Sequence, residues 1–156
     1  MNDLSSFKPQ ELSNIIWSYA TAGESHPKLF SKFADHIVAM RDLSGFMPQD
    51  FSYILWSYAT SSEAHPRLFS KVSDHTDAMK DLSTFLFLPQ ALSNIVWAYT
   101  TAGESYPLIF QKLADVATAK FNDFKPQELS NLLWAYAAVK SVLSPCNSQA
   151  LANSRH

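Results

Sequence analysis

Four times in this chain a Pro-Gln pair is followed by tryptophan at a fixed distance. The pairs are Pro9-Gln10, Pro48-Gln49, Pro89-Gln90 and Pro126-Gln127, and Trp17, Trp56, Trp97 and Trp134 each stand eight residues after the proline. These are all the tryptophans of the 156-residue sequence, and they lie 39, 41 and 37 residues apart. A second anchor follows the first three, proline at +10 (Pro27, Pro66, Pro107) and phenylalanine at +13 (Phe30, Phe69, Phe110). Length variation is confined to the joint before the next Pro-Gln, where DLSGFMPQ in one copy becomes DLSTFLFLPQ in another, with the extra residues read as a loop insertion. A period near 39 means that the fold is a stack of similar units.

Punctuation within a unit selects helix. Leu12, Ile15, Ile16, Tyr19 and Ala20 recur at the spacing of one helical face. Pro9 suits a first helical turn and Gly23 a C-terminal cap, so the first helix is expected over 9–22. The second opens at Pro27, carries Leu29, Phe30, Phe33, Ala34 and Ile37 at the same spacing, and ends near Met40. The short connection makes the two helices antiparallel neighbours. One such hairpin cannot bury both apolar faces alone, so hairpins must stack. The expected fold is all-α: an αα-hairpin solenoid, a superhelix of about four repeats. The array is expected over 1–138, with units at about 7–45, 46–86, 87–123 and 124–143, the last incomplete, and a polar tail over 144–156.

Composition narrows the chemistry. Twelve basic and fourteen acidic side chains leave a net charge of −2, so no bulk positive field holds a polyanion. Three scattered glycines exclude a Walker loop or a dinucleotide fingerprint. The single cysteine, Cys146, makes no internal disulfide and no thiolate cluster for zinc. No apolar run reaches membrane-spanning length. The first ten residues lack both the apolar core of a secretory signal and the Arg-rich character of a transit peptide, which for a complete chain points to the cytoplasm. The segment 3–7 copies the joint 42–46 between units, so the sequence opens at a unit boundary. Solenoids need polar caps; the expectation is therefore a fragment of a longer array, or weakly ordered ends.

The string Phe-x-Pro-Gln-x-Leu-Ser-Asn-x-x-Trp-x-Tyr runs from Phe7 to Tyr19 and from Phe124 to Tyr136. With substitutions or an altered lead-in it runs again from Phe46 to Tyr58 and from Leu88 to Tyr99. It resembles the octotricopeptide and heptatricopeptide repeats, which are similar to those of organellar proteins with FAST-kinase-like and RAP domains, over nearly the whole chain to about Ala138. The resemblance implies an RNA-binding αα-solenoid acting in chloroplast or mitochondrial transcript processing, stability or translation. It implies binding, not catalysis.

The first helix offers residues for that task. On a helical wheel Ile15, Ile16, Tyr19 and Ala20 lie within about 80° of Leu12, and Gln10, Ser13, Asn14, Trp17, Ser18 and Thr21 take the other side. An aromatic ring flanked by amides is what a groove reading single-stranded bases uses. Trp17, Trp56 and Trp97 are candidates for stacking, although a tryptophan recurring once per unit is more often a wedge between repeats. Asn14, Tyr53, Asn94 and Asn131, three before each Trp, vary as a modular base code requires; the plainer reading is a solvated or capping side chain. Gln10, Gln49, Gln90 and Gln127 stand where a helix N-terminus favours phosphate, or where they simply satisfy the first turn. Lys32, Lys71 and Lys112, with Lys28 and Arg67 a turn earlier, form a ladder along the second helices. Asp35, Asp74 and Asp115 follow at i+3, and pairing on a solvated surface is the simpler account.

Catalytic constellations fail. His26 and His65 become Tyr106 in the third unit, and His36 and His75 become Val116. No metal-ligand motif is present. Ser25 and Lys28 have S-x-x-K spacing across Pro27, which chance explains, and Cys146 has no neighbour to activate it. The expectation is a binding protein that is no enzyme, with no metal, cofactor, membrane or small-molecule substrate. Its partner is single-stranded RNA, or in the alternative another protein on an interaction scaffold.

Overall fold

The computed structural model describes residues 3–24, 26–63, 65–80, 89–103 and 107–143, with the backbone alone described at 107–108 and 139–143. Among these residues the chain is all-α, with seven α-helices: α1 (Pro9–Thr21), α2 (Pro27–Ala39), α3 (Pro48–Thr60), α4 (Pro66–Ala78), α5 (Pro89–Thr101), α6 (Pro107–Ala119) and α7 (Pro126–Leu143). The expected insertion at 81–88 and the tail at 144–156 lie outside the described residues.

Every helix opens on proline at its first position, where the missing N–H costs no hydrogen bond. Three of the odd-numbered helices are closed at that end by their third residue. Glu11 accepts from the Lys8 N–H, Asp50 from Met47 and Glu128 from Lys125, each at 2.8 Å. α1, α3 and α5 stop where the chain turns left-handed, at Gly23 (φ 71°), Ser62 (φ 56°) and Gly103 (φ 72°). Lys140 holds the equivalent place in the fourth unit, and there α7 runs on to Leu143.

Alternate helices pack in rows. α1 packs on α3, α3 on α5 and α5 on α7, while α2 packs on α4 and α4 on α6. One buried core takes residues from both rows: Leu12 and Ile16 of α1, Phe30, Phe33 and Ile37 of α2, and Leu68, Phe69 and Val72 of α4. Ahead of α1 a short 3-10 turn, Leu4–Ser6, buries Leu4 and is capped by the Asp3 carboxylate, which accepts from the Ser5 N–H at 2.9 Å. Asp42 makes the same bond to Ser44 at 2.9 Å. Another 3-10 turn, Phe121–Asp123, precedes α7.

One expectation is corrected. The wheel put Ser13 on the open side of α1, yet Ser13, Ser52 and Ser93 are wholly buried. Ser13 donates to the Gln10 carbonyl and shares a hydrogen bond with the Asp50 carboxylate of α3, both at 2.9 Å. α3 covers this flank of α1, and a small hydroxyl lets the neighbouring helix approach closely.

Candidate functional site

The outer face of the odd-numbered row is built from one register. Gln10, Asn14, Trp17 and Thr21 stand at i, i+4, i+7 and i+11, the spacing of a single stripe along α1. The same stripe reads Gln49, Tyr53, Trp56, Thr60 on α3, Gln90, Asn94, Trp97, Thr101 on α5, and Gln127, Asn131, Trp134 on α7. All four glutamines are exposed, as are Asn14 and Asn131, while Tyr53 and Asn94 are half-buried. Trp17 and Trp134 are 38% and 55% exposed. Trp56 and Trp97 are half-buried and pack partly on the core. Each tryptophan inside the row therefore has one part packed against the core and another open to solvent.

Neighbouring stripes touch. The Trp17 and Tyr53 rings lie 5.6 Å apart, tilted by 34°, across the junction of α1 and α3. The Gln49 amide donates to the Tyr53 hydroxyl at 2.7 Å. Between the first turns of α1 and α3, Lys8, Gln10 and Gln49 line a cleft of about 360 Å³. Between α5 and α7, Gln90, Asn94, Gln127 and Asn131 line another of about 290 Å³, together with Lys125 and Glu128. Four of the amides singled out in the sequence thus converge on one polar cleft. Lys125 and Trp134 belong to this face as well, and the position of Trp134 in the repeat was the signal for it.

Charge is sparse on the stripe. Its members are amides, hydroxyls and aromatic rings, and Lys8 and Lys125 at the helix starts line its two clefts. The lysine ladder belongs to the even-numbered helices instead. In the third unit Lys112 reaches between helices: it donates to the Asp77 carbonyl at 2.5 Å and stands 3.8 Å from its carboxylate. Asp115 accepts from Gln111 at 3.3 Å. A lysine side chain reaches the next helix of the row as easily as the next turn of its own.

Three histidines lie against aromatic rings. His26 lies edge-on to Tyr19 at 5.4 Å and His65 to Tyr58 at 5.0 Å, each bracing the turn into the second helix of its unit. His75 rests near Phe51 at 5.6 Å, and burial holds its pKa down against the attraction of Asp42. Asp3 and Asp42 are held below the usual carboxylate range first by hydrogen bonds from Ser5 and Ser44. Among the described residues no three His, Cys, Asp or Glu side chains are grouped to hold a metal ion, and no helix is long and apolar enough to cross a membrane.

No protein-family model matches this chain, and no curated protein matches it.

Proposed function

We propose that the chain is an α-solenoid of four repeats, with a period of about 39 residues, that binds single-stranded RNA along the outer face of the odd-numbered helices. The observation that supports this reading is the stripe itself. An amide, a second amide or tyrosine, and a tryptophan recur in register on four neighbouring helices, offering base-edge hydrogen bonds and a stacking surface once per unit. The second member changes between units while the first and third do not, as a modular reader requires. The work implied by the resemblance is organellar, in transcript processing, stability or translation in a mitochondrion or chloroplast.

A protein-interaction scaffold is the second reading. The near absence of charge on the stripe and the net charge of −2 favour it. Binding of the chain to a pool of random single-stranded RNA at several salt concentrations separates the two. Lys8 and Lys125 are the cations beside the stripe, and each phosphate contact on a single strand contributes about −0.7 to the slope of log K against log salt. A slope of about −1.4 with an enriched sequence supports the RNA reading. Absence of binding at low salt overturns it and leaves the scaffold.

A further inference from the structure

The two clefts between neighbouring stripes differ in what engages their carboxylate. Asp50, the third residue of α3, is buried, and both of its oxygens are engaged: one accepts from the Ser13 hydroxyl at 2.9 Å and the other from the Met47 N–H at 2.8 Å. Glu128 holds the same place on α7 and is only half-buried. One of its oxygens accepts from the Lys125 N–H at 2.8 Å. Ser93, the counterpart of Ser13, donates instead to the backbone carbonyls of Pro89 and Glu128, at 3.0 and 3.2 Å. Glu128 lines the cleft of about 290 Å³ between α5 and α7, together with Lys125 and the amides. On α5 the same place is taken by Ala91, which brings no carboxylate to the junction of α3 with α5.

We propose that the cleft between α5 and α7 is a guanine subsite for the bound strand, with Glu128 as the residue that selects the base; the assignment rests on the RNA reading of the stripe. The Watson–Crick edge of guanine carries two adjacent donors, N1–H and the 2-amino group, which a carboxylate accepts together. Adenine and cytosine each set one amino donor beside a ring-nitrogen acceptor, and uracil flanks its single N–H with two carbonyl oxygens. Each of these brings a lone pair against the negative charge. The other polar groups of guanine, O6 and N7, are acceptors, and the cleft meets them with the Lys125 ammonium and the amide donors of Asn94 and Asn131. A carboxylate oxygen accepts more than one hydrogen bond, so Glu128 keeps its bond to the Lys125 N–H while it takes the base. Asp50 is 6% exposed and committed to Ser13 and Met47, so the cleft between α1 and α3 makes no such selection.

Strands that the full chain enriches from a random single-stranded RNA pool test this. The expected result is a position enriched in guanine, at which replacement by inosine, lacking only the 2-amino group, weakens binding about 10-fold or more. Glu128→Gln retains an acceptor for the Lys125 N–H, and circular dichroism melting checks that it folds. In that variant the discrimination between guanine and inosine falls to about 2-fold. Glu11→Gln alters the same helix-start bond on α1, outside the cleft, and keeps the full discrimination. RNA bound without an enriched guanine, or with inosine as tight as guanine in the wild-type chain, overturns the guanine site while the RNA reading stands, and that comparison needs no variant. Discrimination that survives in Glu128→Gln, or that is lost equally in Glu11→Gln, overturns the role of Glu128. Absence of RNA binding at low salt overturns the RNA reading and this site with it.

Discussion

The Tyr58 hydroxyl donates to the Phe30 backbone carbonyl at 2.6 Å, and its ring meets the Phe30 ring edge-on at 5.1 Å. Tyr58 belongs to α3 and Phe30 to α2, so one side chain joins consecutive sequence units by a polar and an apolar contact at once. Tyr99 repeats the arrangement on Phe69, at 2.7 Å and 5.1 Å, and Tyr136 on Phe110, at 2.8 Å and 5.9 Å. The Tyr of Trp-x-Tyr and the Phe at +13 are thus two ends of one clamp. This explains why both recur at fixed distance while the joint between them varies in length.

Removing the hydroxyl should expose the polar half of the clamp. Tyr58→Phe and Tyr99→Phe keep the ring contact and leave a carbonyl short of its partner in a buried place. A loss of about 1–2 kcal/mol each is expected in urea unfolding. Tyr19→Phe is the internal control, because Tyr19 is 36% exposed and should shift the midpoint little. Equal effects at positions 19 and 58 would contradict the clamp.

Alkaline pH should find the same groups. Burial raises the Tyr58 and Tyr136 phenols well above the ordinary value of 10.0. The unfolded chain releases these protons near pH 10 while the folded chain keeps them, so the folded state binds more protons above that point. Stability is then fully present below about pH 10 and falls as pH rises further. Denaturant midpoints measured from pH 8 to 11 should decline at the upper end, and Tyr58→Phe should flatten the decline.

Much of this was legible in the sequence because helix starts and stops are local. Proline at 9 and glycine at 23 bracket α1, expected over 9–22 and found over Pro9–Thr21. The stripe of Gln10, Asn14 and Trp17 was legible for the same reason, since 3.6 residues per turn aligns them without reference to any neighbour. What depends on the distance between helices was not. The burial of Ser13 arises from the approach of α3, and the reach of Lys112 to Asp77 from the packing of α6 on α4. The tyrosine clamp lay in the repeat pattern, but its partner is a backbone carbonyl, which leaves no mark in a sequence.

The left-handed stop offers a stabilising change. Ser62 takes φ 56° where the first and third units place Gly23 and Gly103. A side chain in that region is strained, and glycine is not. Ser62→Gly should stabilise by about 0.5–1 kcal/mol, the relief of strain exceeding the extra freedom of the unfolded chain. Gly23→Ala should destabilise by a similar amount; no atom lies within 4 Å of the added carbon, so the cost is backbone strain alone. Melting temperatures of the two variants should move in opposite directions.

The stripe divides into residues that should bind and a residue that should do both. Asn14 is exposed and Asn94 half-buried in a polar cleft, so the double variant Asn14→Ala with Asn94→Ala should leave the melting temperature nearly unchanged. If the amides read base edges, each lost hydrogen bond weakens RNA binding by about 0.5–1.5 kcal/mol, and the pair by about 10-fold or more. Trp97 is half-buried and packed on the core, so Trp97→Ala should cost about 2–3 kcal/mol of stability in addition to any loss of RNA affinity. Affinity measured below each variant's unfolding range separates the effects. Loss of fold in both, or unchanged affinity in the asparagine pair, would remove these residues from the reading face.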